Sequence, residues 1–272
     1  MELQEFLNRR EAERSWCYAN GFGNGDPNTN GEYLCFDYFL KTGVSLALDV
    51  GANRGIFSAR ALQSQPDLHL LAFEPNPQVL SQLQENIAVG TRACIHQMAL
   101  HDAGDAELSF YVHPVHHETS SLSRRRLMTS QFQADMHEIS VPVRKLSAVL
   151  AETGCDYSNV FLKIDTEGHE AAVMRGAEQM LDKSVCVAIL FEYSFAWAEA
   201  NERIEDTFQF LNGLGYDFYR VLPVGLEHLR FITRDMAQVQ YCNYLAIKGH
   251  AMSDATRLQV PSPYGANQLV LL

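Results

Sequence analysis

Acidic side chains stand at the ends of three short apolar runs in this sequence. Asp49 follows LAL, Glu74 follows LLAF and Asp165 follows FLKI. Runs of this length and composition are typical of buried parallel strands rather than of helices. Because open parallel sheets bind their ligands at the carboxyl ends of the strands, we expect the three carboxylates to lie along one binding edge.

The turn after the first run has Gly51 and Gly55 on either side of Asn53. Glycine lets the backbone turn tightly and approach a ligand, but a dinucleotide site would need the spacing G-x-G-x-x-G for its pyrophosphate. A ligand that carries an amine and a carboxylate suits this turn better. Glu74, 25 residues after Asp49, is placed to accept hydrogen bonds from both hydroxyls of a ribose. The joint spacing predicts a nucleoside cofactor.

The segment FLKIDTEGHE places Asp165, Glu167 and His169 around one turn. Glu192 ends the next strand, and neighbouring strands lie about 5 Å apart, so we expect Glu192 within reach of Asp165. Two roles remain open for this group. His169 or Asp165 could be the base that takes a proton from a substrate hydroxyl. Alternatively, Asp165 and Glu192 could hold Mg²⁺, which would lower the pKa of a bound hydroxyl.

The elements that must position these residues alternate between strands and helices from residue 44 onward. Strands are predicted at 44–49, 68–74, 93–99, 159–165 and 185–192, and helices at 55–64, 77–88, 169–182 and 202–213. Such alternation is typical of β-α-β units. We therefore predict an α/β fold with a Rossmann-like doubly wound sheet, mostly parallel with an antiparallel edge strand, and with helices on both faces.

The chain is predicted to have a helical N-terminal lead-in at residues 1–43 and a single domain at residues 44–272. The strands AELSFYV and EISVPVRKL interrupt the alternation within residues 104–143, and we interpret this segment as an inserted flap near the site. The segments LGYDFYRVL and QYCNYLAIK predict two closing strands, arranged as a hairpin at the sheet edge.

The flap carries clusters of histidine and arginine. His113, His116 and His117 are candidates for a zinc site, but Pro114 disrupts a helix and no cysteine stands nearby, so a polar loop is the preferred interpretation. The basic run Arg124–Arg126 could clamp an anionic substrate or simply be solvated.

Composition limits the partners of the protein. The formal net charge of -12 argues against a nucleic-acid backbone or an anionic membrane surface as the main partner. The longest apolar run, Val185–Phe191, is far shorter than the roughly 20 residues that span a bilayer. The N-terminal segment lacks the apolar stretch of a secretory signal, so we expect a cytoplasmic protein. A small molecule or a glycan is the expected partner, and the sequence leaves open whether the chain forms homo-oligomers.

Several motifs, taken together, resemble the FkbM-type family of S-adenosylmethionine-dependent class I methyltransferases. They are LDVGANRGIFS, FEPNP, MALHD, SSL and above all FLKIDTEGHEAAVMRGA, and they cover about residues 30–195. The resemblance implies methyl transfer to oxygen, commonly a hydroxyl of a carbohydrate or natural product. The alternative is a non-catalytic scaffold or regulator that binds S-adenosylmethionine. A nicotinamide oxidoreductase would need the missing G-x-G-x-x-G spacing.

The resemblance also implies roles for individual residues. The methionine part of the cofactor would be lined by Asp49, Gly51, Asn53 and Gly55, the ribose by Glu74 with Asn76 beside it, and the adenine by Met98, Ala99 and Asp102. Glu32, with Asn30, would cap the pocket, and Ser121 would lie near cofactor or substrate beside Arg124. The candidates for catalysis are Asp165, Glu167, His169 and Glu192. Together these residues predict an enzyme that methylates a hydroxyl group.

Overall fold

The computed structural model describes residues 3–19, 21–87, 92–125, 136–153, 158–183, 185–232, 241–249, 256–262 and 265–272. Its helices are α1 (Leu3–Ala19), α2 (Glu32–Leu40), α3 (Ile56–Ser64), α4 (Leu80–Ile87), α5 (Leu146–Thr153), α6 (Glu170–Gly176), α7 (Glu178–Asp182), α8 (Ala196–Glu199) and α9 (Ile204–Gly213), with a 3₁₀ turn at His117–Thr119. Among these described helices, none has the length and apolar character needed to cross a membrane.

The strands form two sheets. They are β1 (Leu46–Val50), β2 (His69–Phe73), β3 (Ala93–His96), β4 (Ala99–Leu100), β5 (Ala106–Val112), β6 (His137–Arg144), β7 (Val160–Ile164), β8 (Cys186–Ser194), β9 (Tyr216–Leu222), β10 (Gly225–Leu229), β11 (Tyr241–Lys248), β12 (Thr256–Ser262) and β13 (Gly265–Leu271). The larger sheet follows the order β12-β13-β10-β9-β11-β8-β7-β1-β2-β3, and the smaller one the order β4-β6-β5.

The parallel part of the larger sheet carries the predicted motifs. Strand β1 pairs in parallel with β2 on one side and β7 on the other, so that Asp49 stands opposite Ala72 and Lys163. Every residue of β1 and β7 is buried, as expected for central strands that are covered on both faces. The carboxyl ends of β3, β2, β1, β7 and β8 therefore meet at one edge, and the predicted α/β fold class is confirmed.

The antiparallel part of this sheet continues beyond β8. Strand β11 pairs antiparallel with both β8 and β9 and thus lies inside the sheet. The predicted hairpin of residues 214–222 and 240–248 is wrong, because β9 forms its hairpin with β10 through the tight turn at Pro223 and Val224. A short turn closes this neighbouring pair with little loss of chain entropy, and β11 then adds to the other side of β9.

Apolar clusters cover both faces of the larger sheet. Along β1, Leu46 and Leu48 belong to one cluster and Ala47 to the other, as the alternation of side chains in a strand requires. Helix α2 packs into the second cluster, where the ring of Phe36 lies 4.2 Å from that of Phe57. The lead-in therefore contributes to the core of the sheet, and the domain boundary at residue 43 stays a prediction.

The predicted flap contains its two expected strands. Strands β5 and β6 pair antiparallel, and β6 pairs in parallel with the short β4. Phe110, Val112, Val141 and Val143 form a small separate core with Ala99 of β4. This shared core attaches the flap to the segment that follows β3. Residues 126–135 of the flap, with Arg126 of the predicted basic run, lie outside the described residues.

Candidate functional site

A cavity of about 480 Å³ opens at the carboxyl edge of the parallel strands. Its volume lies in the range of small-molecule sites. The strand ends contribute in the order of the sheet: Met98 after β3, Glu74 after β2, Asn53 after β1, Asp165 after β7, Glu192 in β8 and Tyr241 at the start of β11. The cavity therefore runs across the ends of neighbouring strands, as the sequence predicts.

The turn after β1 brings the backbone close to both neighbouring strands. Gly51 has a φ of 80°, and a Cβ at this position would stand 1.8 Å from the carbonyl oxygen of Asp165. The amides of Gly51 and Ala52 donate to the carbonyl oxygen of Phe73 at 2.9 and 3.0 Å. Only glycine fits both the dihedral angle and the close approach, and the turn therefore forms a fixed wall of the cavity.

The Glu74 carboxylate is held by backbone donors. Its Oε2 accepts the amide N–H of Asn53 at 2.7 Å, and its Oε1 accepts that of Asn76 at 2.8 Å. A carboxylate oxygen can accept two hydrogen bonds, so each oxygen retains capacity for a ligand in the cavity. Burial raises the pKa of Glu74 to about 7, although the two backbone donors oppose this shift. Glu74 is thus positioned and oriented before any ligand binds.

Lys163, in the middle of β7, is a buried cation of the site. Its Nζ lies 3.2 Å from Oδ2 of Asp165 and 3.5 Å from Oδ1 of Asp49, and it stands over the ring of Phe57. Asp49 is fully buried and also accepts a hydrogen bond from Oγ of Ser58 at 2.6 Å. Burial lowers the pKa of Lys163, but the nearby carboxylates, that of Asp165 first, raise it above its usual range. Lys163 is not among the residues predicted from the sequence, although a lysine inside the apolar run FLKI was a usable signal.

The turn between β7 and α6 is built around Glu170. The Glu170 carboxylate accepts the amide N–H of Thr166 at 2.7 Å and that of Gly168 at 3.1 Å. Burial raises the pKa of Glu170 to about 8, and the backbone amides of Thr166 and of Glu170 itself act in the opposite direction. Within the same turn, Glu167 has a positive φ of 56° and lines the cavity. Glu170 therefore shapes the turn that presents Glu167.

A buried arginine of the flap holds Glu167. Arg125 has a side chain that is only 3% exposed, and it pairs with Glu167 and, at 3.0 Å, with Glu199. Its guanidinium lies over the ring of Phe195. Burial raises the pKa of Glu167 to about 7 against the effect of Arg125. Ser121 Oγ donates to the carbonyl oxygen of Glu167 at 2.8 Å, so side chains of the flap fix both the backbone and the carboxylate of this residue.

Acidic side chains predominate at the β8 end of the cavity. Glu32 at the start of α2 and Glu192 in β8 both line this end. Burial raises the pKa of both groups, and the carboxylates of Glu167 and Asp165 raise that of Glu192 further. Tyr241 completes this end, and its pKa is raised by burial and by Glu192. When they are ionised, these carboxylates favour neutral or positively charged ligand groups.

Most of the predicted site residues meet at this cavity. Those that line it are Gly51, Asn53, Glu74, Met98 and Ala99 among the predicted cofactor residues, and Glu32, Asp165, Glu167 and Glu192 among the predicted catalytic and substrate residues. The fold thus gathers residues that are far apart in the sequence. Their roles toward a ligand stay predictions.

The predicted residues His169 and Asp102 do not line the cavity. Nε2 of His169 lies 2.9 Å from Oγ of Ser123, and its ring lies 5.5 Å from that of His101. Burial, with a smaller effect of His101, lowers the pKa of His169 to about 4. Asp102 accepts a hydrogen bond from Arg175 at 2.5 Å and lies 2.9 Å from Nδ1 of His101. Both side chains are engaged with neighbouring residues, so their positions do not support direct contact with a ligand.

The remaining predicted residues support the site or lie outside it. A Cβ at Gly55 would stand 2.5 Å from a methyl group of Leu83, so this glycine lets α3 pack against α4. Asn76 is buried, and its Oδ1 accepts the amide N–H of Gln78 at 3.0 Å. Arg124 is exposed and does not line the cavity. In the basic run, Arg125 rather than Arg124 contacts residues of the site.

The arrangement does not support a magnesium site at Asp165 and Glu192. Asp165 is already paired with the ammonium group of Lys163. The part of the chain that the structure describes contains no group of three or more His, Cys, Asp or Glu side chains that could hold a metal ion. In the flap, Nδ1 of His113 accepts two backbone amides at 3.1 and 2.9 Å, which is a turn-forming role.

Comparisons with known proteins agree with this architecture. The strand order and the site define an α/β protein whose cavity lies across the carboxyl ends of parallel strands, the usual place of a ligand in this class of fold. The family model of the methyltransferase FkbM domain matches residues 49–218, more than half of the 272-residue chain. The chain therefore belongs to the FkbM methyltransferase family, and the resemblance noted in the sequence is confirmed.

Over the aligned segments, three curated relatives are 26–32% identical to this chain. The chain is 30% identical over 159 residues to Methyltransferase 1 of Beauveria bassiana (strain ARSEF 2860), covering 53% of this chain and 63% of that protein. It is 26% identical over 147 residues to 2-O-methyltransferase NoeI of Sinorhizobium fredii (strain NBRC 101917 / NGR234), covering 50% of this chain and 59% of that protein. It is 32% identical over 168 residues to 31-O-demethyl-FK506 methyltransferase FkbM of Streptomyces tacrolimicus, covering 52% of this chain and 64% of that protein. The match thus spans less than two thirds of each relative.

Proposed function

We propose that this chain transfers a methyl group from S-adenosylmethionine to a hydroxyl group of a carbohydrate or natural-product acceptor. The observation that carries the proposal is the single cavity in which Glu74, Asp165 and Glu192 follow one another along the strand ends. Two relatives have names that refer to O-methyl positions, and these names support oxygen as the acceptor atom.

The half of the cavity near β1, β2 and β3 fits S-adenosylmethionine. Glu74 retains an acceptor site on each oxygen for the ribose hydroxyls. Among the described residues, Oδ1 of Asn53 is buried without a hydrogen-bond partner and can accept from the bound cofactor. Met98 and Ala99 offer apolar surface to the base. When bound, S-adenosylmethionine supplies an electrophilic methyl group on a positively charged sulfonium.

Glu192 is the residue that we assign as the proton acceptor. The register that pairs Ile164 with Phe191 sets Asp165 and Glu192 beside each other at the ends of adjacent strands. Burial and the neighbouring carboxylates raise the pKa of Glu192, which makes its ionised form a stronger base toward a hydroxyl group. Asp165, held by Lys163 at 3.2 Å, orients the hydroxyl.

The charge of the acidic end favours a neutral or cationic acceptor. Arg125 is engaged with Glu167 and Glu199, and Lys163 is engaged with its two aspartates. Arg54 also lines the cavity, but it is exposed at the rim. In the ionised form that proton abstraction requires, Glu192 would repel an anionic acceptor, and Glu32 lies at the same end.

Calorimetric titration tests the proposed cofactor. We expect S-adenosylmethionine and S-adenosylhomocysteine to bind with micromolar affinity and NAD not to bind. Binding of NAD alone would contradict the proposal and would revive a redox function. Failure of all three ligands to bind would show that the residues around Glu74 do not form a nucleoside site.

Transfer of a radiolabelled methyl group tests the acceptor. The panel contains a neutral sugar, an amino sugar, a phosphorylated sugar and a hydroxylated macrolide, each with the amount of labelled product measured. We expect labelled products from neutral or amino-containing hydroxyl compounds and none from the phosphorylated sugar. Labelling of nitrogen alone in the amino sugar would contradict transfer to oxygen.

A further inference from the structure

The end of the cavity opposite Glu32 and Glu192 is shared by the sheet and the flap, and both contribute apolar side chains to it. Met98, Ala99 and Leu100 follow β3, whereas Phe110 and Leu122 come from the flap. Strand β3 lies next to β2, so this end adjoins Glu74. A nucleoside whose ribose contacts Glu74 would place its base between the β3 segment and the flap.

The polar contact expected for the base is missing from the predicted residue. Asp102 is paired with Arg175 and His101 and does not line the cavity. An adenine ring carries hydrogen-bond donors and acceptors on its edge, and burial of such groups without partners is costly. Another polar group at this end must therefore meet the base.

His117 has the position and the unused polar atom that this contact requires. It stands in the 3₁₀ turn of the flap and lines the cavity. Within the described ranges, Nδ1 of His117 is buried and has no hydrogen-bond partner, which is uncommon for a buried polar atom. Ser120 and Glu118 also line this end, but Oγ of Ser120 accepts the amide N–H of His113 at 3.2 Å, and Oε1 of Glu118 lies 3.1 Å from Nδ1 of His116.

We propose that Nδ1 of His117 accepts a hydrogen bond from the exocyclic amino group of the cofactor's adenine, and that His117 thereby selects adenine over other purines. This assignment rests on the S-adenosylmethionine site proposed above. It gives the flap a direct part in cofactor recognition, because the contact comes from an inserted segment rather than from a strand end of the larger sheet.

The test compares S-adenosylhomocysteine with S-inosylhomocysteine, in which a carbonyl replaces the amino group of the base. Both are titrated calorimetrically into the full chain and into His117→Ala, His117→Asn and His137→Ala. Asn keeps a polar atom near the position of Nδ1. His137 is the matched control because it is an exposed histidine of the same flap, at the start of β6, and does not line the cavity.

We expect His117→Ala to weaken S-adenosylhomocysteine binding by about tenfold, as for one lost hydrogen bond in a buried site. The Kd of S-inosylhomocysteine should change by less than about twofold in the same variant. His117→Asn should restore part of the preference for adenine, and His137→Ala should keep the wild-type preference.

Three outcomes would overturn the assignment. The first is an unchanged preference for adenine in His117→Ala. The second is an equal loss of affinity for both compounds together with a lower Tm, which would mean that His117 only packs the flap. The third is the absence of S-adenosylhomocysteine binding by the wild-type chain, which would also overturn the proposed function, whereas the first two would leave that function intact.

Discussion

Replacement of Glu74 by glutamine tests the ribose site with little change in side-chain shape. In the structure, both carboxylate oxygens of Glu74 already accept a backbone amide, from Asn53 at 2.7 Å and from Asn76 at 2.8 Å. The side-chain amide of glutamine has one acceptor oxygen and one NH₂ group. The NH₂ group would face a backbone N–H, and neither of these groups can accept a hydrogen bond. The Glu74→Gln variant therefore loses one of these backbone contacts and one charged acceptor for the ribose.

The expected loss of affinity follows from the number of hydrogen bonds that Glu74→Gln loses. A hydrogen bond to a charged group contributes about 1.5–3 kcal/mol, and about 1.4 kcal/mol corresponds to a tenfold change in Kd. The Kd for S-adenosylhomocysteine should therefore rise by about 10- to 100-fold in Glu74→Gln. Glu74→Ala should weaken binding by about 1–3 kcal/mol for the same reason.

The affinity of the wild-type chain should also depend on pH through Glu74. Burial raises the pKa of this carboxyl to about 7 in the free protein. Below that pH the protonated form predominates and lacks the charged acceptor, so binding should weaken by up to about tenfold per pH unit. Above that pH binding should level off. The glutamine of Glu74→Gln does not titrate, so the affinity of this variant should lack this pH dependence.

The assay is calorimetric titration with S-adenosylhomocysteine between pH 5.5 and 8.5, together with the thermal unfolding of each variant. Glu85→Gln is the matched control, because Glu85 is exposed on α4 and does not line the cavity. Equal affinity of Glu74→Gln and the wild-type chain at every pH would refute the placement of the ribose at Glu74. A lower Tm with unchanged affinity would assign Glu74 to the turn alone.

Other predictions concern the proposed base Glu192, the buried cation Lys163 and the turn at Gly51 after β1. Glu192→Gln should lower methyl transfer by at least about 100-fold while cofactor affinity changes little, as for loss of a general base; unchanged turnover would remove Glu192 from the reaction. Lys163→Met leaves Asp49 buried without its cation and should lower the free energy of unfolding in urea by about 3–5 kcal/mol. The added change Asp49→Asn should recover part of this loss, and a loss below about 1 kcal/mol would show that the pair contributes little. Gly51→Ala should lower Tm much more than Gly43→Ala, because a Cβ at Gly51 meets a backbone oxygen at 1.8 Å whereas one at Gly43 meets nothing within 4 Å; equal Tm values would contradict the close approach.

The sequence by itself determined the parallel part of the fold and the edge at which the site lies. Short apolar runs that end in Asp49, Glu74 and Asp165 were sufficient, since parallel strands bring their carboxyl ends to one edge whatever the rest of the chain does. The glycine spacing was equally informative, because Gly51 combines a φ of 80° with a backbone oxygen 1.8 Å from where a Cβ would stand.

The sequence could not separate residues that line the cavity from those beside it. Asp102 and His169 have the right chemistry, but Arg175, His101 and Ser123 are their partners in the folded chain. Such pairings join segments far apart in the sequence, and no local pattern specifies them. The same holds for the antiparallel strands, because the place of β11 depends on which side of β9 remains available after β10 has paired.

Only the tertiary structure assigned roles to the flap. Arg125 and Arg124 are adjacent and chemically identical, yet one is buried against Glu167 and the other is exposed. His117 was interpreted as part of a polar loop, and only the packing of the flap against the segment after β3 places it at the cavity. The physical reason is that burial and distance, which decide what a polar side chain does, are properties of the folded chain and not of its local sequence.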